Sequence, residues 1–164
     1  MGNENIYKET RKSLGLSRDD ASKLLGVITP ERLERIENNK FPIQPDEVCV
    51  MADKYKEPSL RNYYCSTQCP IGQQSVPEIK VKNLAEIIIQ MIASLNSMKK
   101  KQERLIEITS DGRIDNEELN DFIYIQKELE RISTTVEALR LWTETMIAEE
   151  KIDVEKYNAL KELG

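Results

Sequence analysis

The side chains able to do chemistry in this chain are few, and their spacing limits what they can do. Leu24 to Lys40, LLGVITPERLERIENNK, sets Arg32, Arg35 and Lys40 among Glu31, Glu34 and Glu37. Cations at helical spacing suit phosphate contacts, and an arginine can also donate two hydrogen bonds to a guanine edge. Glutamate repels phosphate but can accept from a cytosine amino group. Cys65 and Cys69, with Cys49 nearby in sequence, raise metal or redox chemistry. C-x3-C is not the usual zinc-knuckle spacing, and the chain has no histidine to complete a site. The three read as reduced thiols, with Cys49 facing the core beside Val48 and Met51. From Glu107 to Glu118, EITSDGRIDNEE, residues Asp111, Gly112, Ile114, Asp115 and Glu118 overlay the later positions of an EF-hand calcium loop. Glu107 stands where that loop begins with Asp, and Thr109 fills the third position. A helix start accounts for the same letters: Asp115 as N-cap, Glu118 as its capping-box partner, Ile114 with Leu119 as a hydrophobic staple. The basic run MKKKQER, Met98 to Arg104, reads as a solvated helix face.

Without histidine the chain lacks the commonest acid-base catalyst and metal ligand. It has no Gly-rich phosphate loop and no nucleophile elbow, and its paired acids fall on helix faces expected to be exposed. No enzyme activity, cofactor or metal site is expected.

Helices must position these groups. Charged residues make up 32% of the chain and aromatics only 5%, a balance that favours an all-α fold. Ser17 with Asp20 forms a capping box before one helix, and Thr29 caps another with Pro30 at its first position. QPDEV before Val48 and EPSL before Leu60 repeat the pattern, so residues 1–65 read as about five helices. Pro70, Gly72 and Pro77 among small polar residues mark 66–79 as a linker. Beyond it two heptad series run through 80–164. The first is Val81, Leu84, Ile88, Met91, Leu95, Met98, Gln102 and Leu105. The second is Phe122, Ile125, Leu129, Ile132, Val136, Leu139, Thr143 and Met146. SDGRID between them is short enough to force a long antiparallel, coiled-coil-like hairpin. A short helix over Val154 to Leu163 follows.

The net charge of −5 excludes a chain that is basic throughout, though not a local basic face. The opening MGNENIYKET is polar and charged, and the apolar stretch AEIIIQMIA is too short and too interrupted to span a bilayer. Three cysteines, an odd number, suit a reducing compartment. A cytoplasmic protein without membrane contact is expected.

TRKSLGLSRDDASKLLGV, LERIENNK and PDEVCVMADKY together resemble the lambda-repressor-like XRE/Cro family of helix-turn-helix domains, over Ile6 to about Cys65. The resemblance implies a five-helix domain with Ala21, Leu24, Leu25, Val27, Leu33 and Ile36 facing inward. It also implies an ion pair between Arg11 and Glu37. On the recognition helix Glu31, Glu34, Arg35 and Asn38 then point outward. Two departures stand out: Arg18 replaces the usual Gln, and one extra residue lies between Val27 and Ile36. The family reading implies double-stranded DNA as partner, with Arg18, Arg32, Arg35 and Lys40 at phosphates or bases. Thr29, Glu31 and Asn38 lie close to the groove. Residues 1–65 hold eleven Lys plus Arg against eleven Asp plus Glu, so a single module binds weakly. The apolar stripes of 80–164 are expected to pair two copies into a homodimer that reads an operator as a transcriptional regulator. The acids on the reading face support an alternative, a helix-turn-helix turned to a protein partner in an antitoxin-like or adaptor role.

Overall fold

The computed structural model of the chain describes residues 5–80, 83–109 and 112–163. Val81 of the first heptad series and Asp111 of the calcium overlay lie outside them. The described residues form helices and no strands: α1 Ile6–Ser13, α2 Arg18–Leu25, α3 Pro30–Glu37, α4 Pro45–Lys54, α5 Ser59–Thr67, α6 Gly72–Ser75, α7 Leu84–Thr109, α8 Leu119–Ala148 and α9 Val154–Glu162. They divide into two compact units, one within Met1–Glu78 and Thr143–Gly164, the other Ile79–Trp142.

Local chemistry starts the helices of the first unit. Asn5 Oδ1 accepts from the backbone N–H of Tyr7 and Lys8, while its Nδ2 donates to the Ile36 carbonyl at 2.9 Å, tying the start of α1 to the end of α3. Ser17 Oγ accepts from Asp20 N at 3.1 Å and Thr29 Oγ1 from Arg32 N at 3.2 Å. Each satisfies one of the amides a helix start leaves unpaired. Glu47 reaches back to the Gln44 N–H at 2.8 Å to open α4. These helices close on a core that includes Tyr7, Ala21, Leu25, Leu33, Ile36, Met51 and Leu60.

Three expected core positions differ. Val27 is 75% exposed and Leu24 is exposed too, while Ile28 is buried. Gly26 ends α2 at φ 75°, a left-handed turn that glycine adopts freely. The extra residue of the turn then lets Ile28 reach the core and swings Val27 outward. Cys49 is exposed, because Val48, Met51, Ala52 and Tyr55 take the inward stripe of α4. The Tyr55 hydroxyl is buried without a hydrogen-bond partner among the described residues, and burial, then the Glu37 charge, pushes its pKa up to about 12.

Within residues 66–79, α5 continues to Thr67 and Gly72–Ser75 make one further helical turn. Gly72 is buried against α5, where a Cβ would overlap the Cys65 carbonyl. The end of α8 and the turn after it reach α5 and the turn before it through Arg61–Glu144 at 3.4 Å and Lys56–Glu150 at 2.6 Å. Both pairs are solvent-exposed and contribute little stability.

In the second unit α7 and α8 pack as an antiparallel hairpin. Arg104 and Lys101 both reach Asp121, at 2.9 and 3.2 Å, and the Ser97 and Tyr124 hydroxyls meet at 2.7 Å. Asp115 Oδ1 accepts from the N–H of Glu117 and Glu118, and Glu118 accepts from Asp115 N, so the capping box forms. Ile114 and Leu119 are both half-exposed. The buried line of the hairpin coincides only in part with the heptad series: Ile125 of the second series is buried, and Met91, Met98, Leu105, Ile132 and Leu139 are partly buried. Ile87 and Ser94 are buried on α7, and Ile125, Glu128 and Thr135 on α8. Leu84, Ile88, Ile92, Leu95 and Ile106 on α7, with Leu129 and Val136 on α8, stay exposed.

Candidate nucleic-acid interface

The surface that could meet a polyanion is built on α2, α3 and the turn between them. Leu33 and Ile36 face the core. At 3.6 residues per turn this leaves Glu31, Glu34, Arg35 and Asn38 outward, and all four are exposed. A buried ion network anchors that face. Arg11 Nε and Nη2 grip the two oxygens of Glu37 at 2.5 and 2.9 Å, and Nη1 donates to the Leu16 carbonyl at 2.6 Å. Arg18 Nε adds a bond to Glu37 Oε2 at 3.0 Å. Glu37 is thus a structural acid at the end of α3, with its side chain 1% exposed. Burial opposes its charge, but the hydrogen bonds from Arg11 and then Arg18 outweigh it and hold the carboxyl below its ordinary range. The same hydrogen bond raises the Arg11 pKa.

The expected contact residues fall into two groups. Arg18 and Arg32 are engaged within the fold. Arg18 holds Glu37 with Nε and keeps its side chain 35% exposed. Arg32 forks onto Glu47 at 2.7 and 2.6 Å and donates to the Pro42 carbonyl at 2.9 Å, so it braces α3 against α4. Thr29 is the N-cap of α3 and Asn38 its C-cap. Glu31, Arg35 and Lys40 face solvent. The Arg35 guanidinium lies 5.4 Å from the Phe41 ring centroid, a cation-π contact that narrows its range of orientations. The Glu31 carboxyl is held below its ordinary range by backbone N–H at the start of α3 and by Thr29.

Sequence reading missed two of these arrangements. The Arg32–Glu47 brace joins residues that local patterns do not connect. Its one local signal was the position of Glu47, the capping-box site of α4. The Phe41 platform carried no signal beyond an exposed aromatic just past the helix.

Residues 8–59 match the family described as helix-turn-helix, and this segment is a helix-turn-helix domain of the XRE, lambda-repressor-like kind. Domains of this family are DNA-binding regulatory modules and are generally not enzymes. The match spans less than half of the chain and leaves α7 to α9 outside it. No curated protein and no solved structure matches the chain. Among the described residues no helix is long and apolar enough to cross a membrane.

Proposed function

We propose that the chain is an XRE-type transcriptional regulator that lays the outer face of α3 in the DNA groove and binds its operator as a homodimer. The observation that carries this is the exposed face of α3 within the matched helix-turn-helix, where Arg35 lies by the Phe41 ring and Asn38 one turn away. Arg35 reads a base edge or holds a phosphate. Lys40 and the outer part of the Arg18 guanidinium take phosphates flanking the groove. Thr29 and Glu31 sit at the start of α3, where Glu31 selects for bases that can donate. Arg32 positions α3 through Glu47. The homodimer compensates for a neutral module, since two linked half-sites raise effective affinity without new contacts.

Glu31 and Glu34 on the same face support a second reading, in which α3 meets a protein surface with basic or donor groups. Selection of the purified protein against a random duplex library separates the two. The DNA reading predicts an enriched, two-fold-related site whose affinity falls steeply with salt, as counterion release requires. A library that returns no enriched sequence contradicts it and leaves the protein-binding reading.

A further inference from the structure

The hairpin buries Ile87, Ile108, Ile125, Ala138 and Leu141 along with three polar residues, yet leaves a second line of large apolar side chains exposed. On α7 each of Ile87 and Ser94 is buried, and the next residue, Ile88 and Leu95, is exposed. On α8 each of Glu128 and Thr135 is buried, and the next residue, Leu129 and Val136, is exposed. One residue along a helix is a rotation of about 100°. The exposed apolar line on both helices therefore lies roughly a right angle round from the buried line, in the same rotational sense. In an antiparallel pair the same sense places both lines on one side, so they merge into a single apolar face. The opposite side is polar: Gln90, Arg131 and Thr134, with Ala93, line an open cleft there.

A helix in a square four-helix bundle touches two neighbours set about a right angle apart. Each hairpin helix has one such neighbour in its own chain, and its free apolar line points to where the second would stand. We infer that this face, carried by Ile88, Leu95, Leu129 and Val136, is covered by the same face of a second copy of the chain, completing a four-helix bundle. The inference rests on the homodimer proposed above and names its surface. A second hairpin is the occupant that fits, because it brings two helices at once, each with the same unpaired line.

The area agrees. Taking roughly 120 Å² for a fully exposed Leu or Ile side chain, the seven exposed residues on this side (Leu84, Ile88, Ile92, Leu95, Ile106, Leu129 and Val136), each about half covered, present roughly 400 Å² of apolar surface. With the usual polar share the face reaches roughly 700 Å², close to the ~800 Å² per partner of a stable protein pair. A lone helix laid across it would cover only part of it.

Sedimentation equilibrium of the full chain tests this. The wild-type protein is expected to be a dimer at micromolar concentration. Leu95→Ala with Val136→Ala, which keeps good helix formers on α7 and α8, is expected to raise the dimer dissociation constant at least tenfold. Ile89→Ala lies away from the face on α7 and is expected to leave it unchanged. Circular dichroism on each variant separates weakened pairing from lost helix. A monomeric wild-type protein overturns the inference, and so does a dimer that Leu95→Ala with Val136→Ala leaves intact or that Ile89→Ala weakens more. Should the double variant lose helix, Leu129→Ala takes its place, and an unchanged dissociation constant there overturns the inference. Duplex binding is read separately: a dimer of the predicted kind that binds no DNA contradicts the regulator reading and leaves the face standing.

Discussion

Replacing Glu37 by Gln removes the charge on which two arginines converge. Glu37 accepts two hydrogen bonds from Arg11 and one from Arg18, with its side chain 1% exposed. The glutamine keeps the shape but leaves the Arg11 guanidinium, 9% exposed, without a counter-charge. Removing one partner of a buried pair costs about 3–5 kcal/mol, because the other charge stays out of water. Arg18 adds less, since at 35% exposure water can replace its partner. At about 4–8 °C per kcal/mol for a domain of this size, Glu37→Gln should lower the melting temperature of the helix-turn-helix unit by 12 °C or more, by the same scaling. Differential scanning calorimetry measures it, and Arg11→Met combined with Glu37→Leu should recover part of the loss. The pH dependence has a fixed sign. The folded pKa of Glu37 lies below its ordinary 4.5, so the pair stabilises fully above that value and is lost as pH falls through the folded pKa. A melting temperature for Glu37→Gln within about 3 °C of wild type, less than a 1 kcal/mol loss produces, would refute the buried-pair account.

Four other outcomes follow from the same geometry. Arg32→Ala removes a forked, half-buried bond to Glu47 and should cost about 1.5–3 kcal/mol by urea unfolding; a change under about 0.5 kcal/mol argues against the brace. Gly72→Ala forces a Cβ onto the Cys65 carbonyl and should destabilise by at least the 1–3 kcal/mol of ordinary overpacking, whereas a neutral result means the α6 turn does not sit against α5. Tyr55→Phe deletes a buried hydroxyl with no partner and should leave the domain as stable or up to about 1 kcal/mol more so; a clear loss points to an ordered water on that oxygen. Asp115→Ala should cost about 1 kcal/mol through its lost cap, and millimolar calcium should leave the wild-type melting temperature unchanged; a calcium-dependent rise of several degrees favours the EF-hand reading.

What the sequence made legible was local. Ser17, Thr29 and Asp115 act on amides two or three residues ahead, so their patterns mark helix starts whatever the rest of the chain does. The Arg11–Glu37 pair was legible only through family resemblance, and the part Arg18 plays in it was not. Val27 and Ile28 exchanged places because a turn with one extra residue shifts the register, and hydrophobicity does not tell which of two adjacent apolar residues turns inward. The hairpin shows a different limit. Leu95 and Val136 belong to a clear heptad pattern yet are exposed at 50% and 49%, while Ser94 and Thr135 are buried. Heptads record all the surface a helix is built to bury, including surface that another chain covers, so they mark the stripe without saying which part faces the helix next door.

The claim that matters most is that the outer face of α3 reads DNA. Its most direct measurement is the affinity of Arg35→Ala and Glu34→Gln for the duplex enriched by the wild-type protein, titrated across salt. Arg35→Ala should weaken binding by about 1–3 kcal/mol if Arg35 grips a guanine edge, and by less with a shallower salt slope if it holds a phosphate. Glu34→Gln should tighten non-specific binding, because a like charge leaves the phosphates. Both variants should stay folded, since both side chains are exposed. Unchanged affinity and salt slope in both variants would contradict the account and turn α3 towards a protein partner.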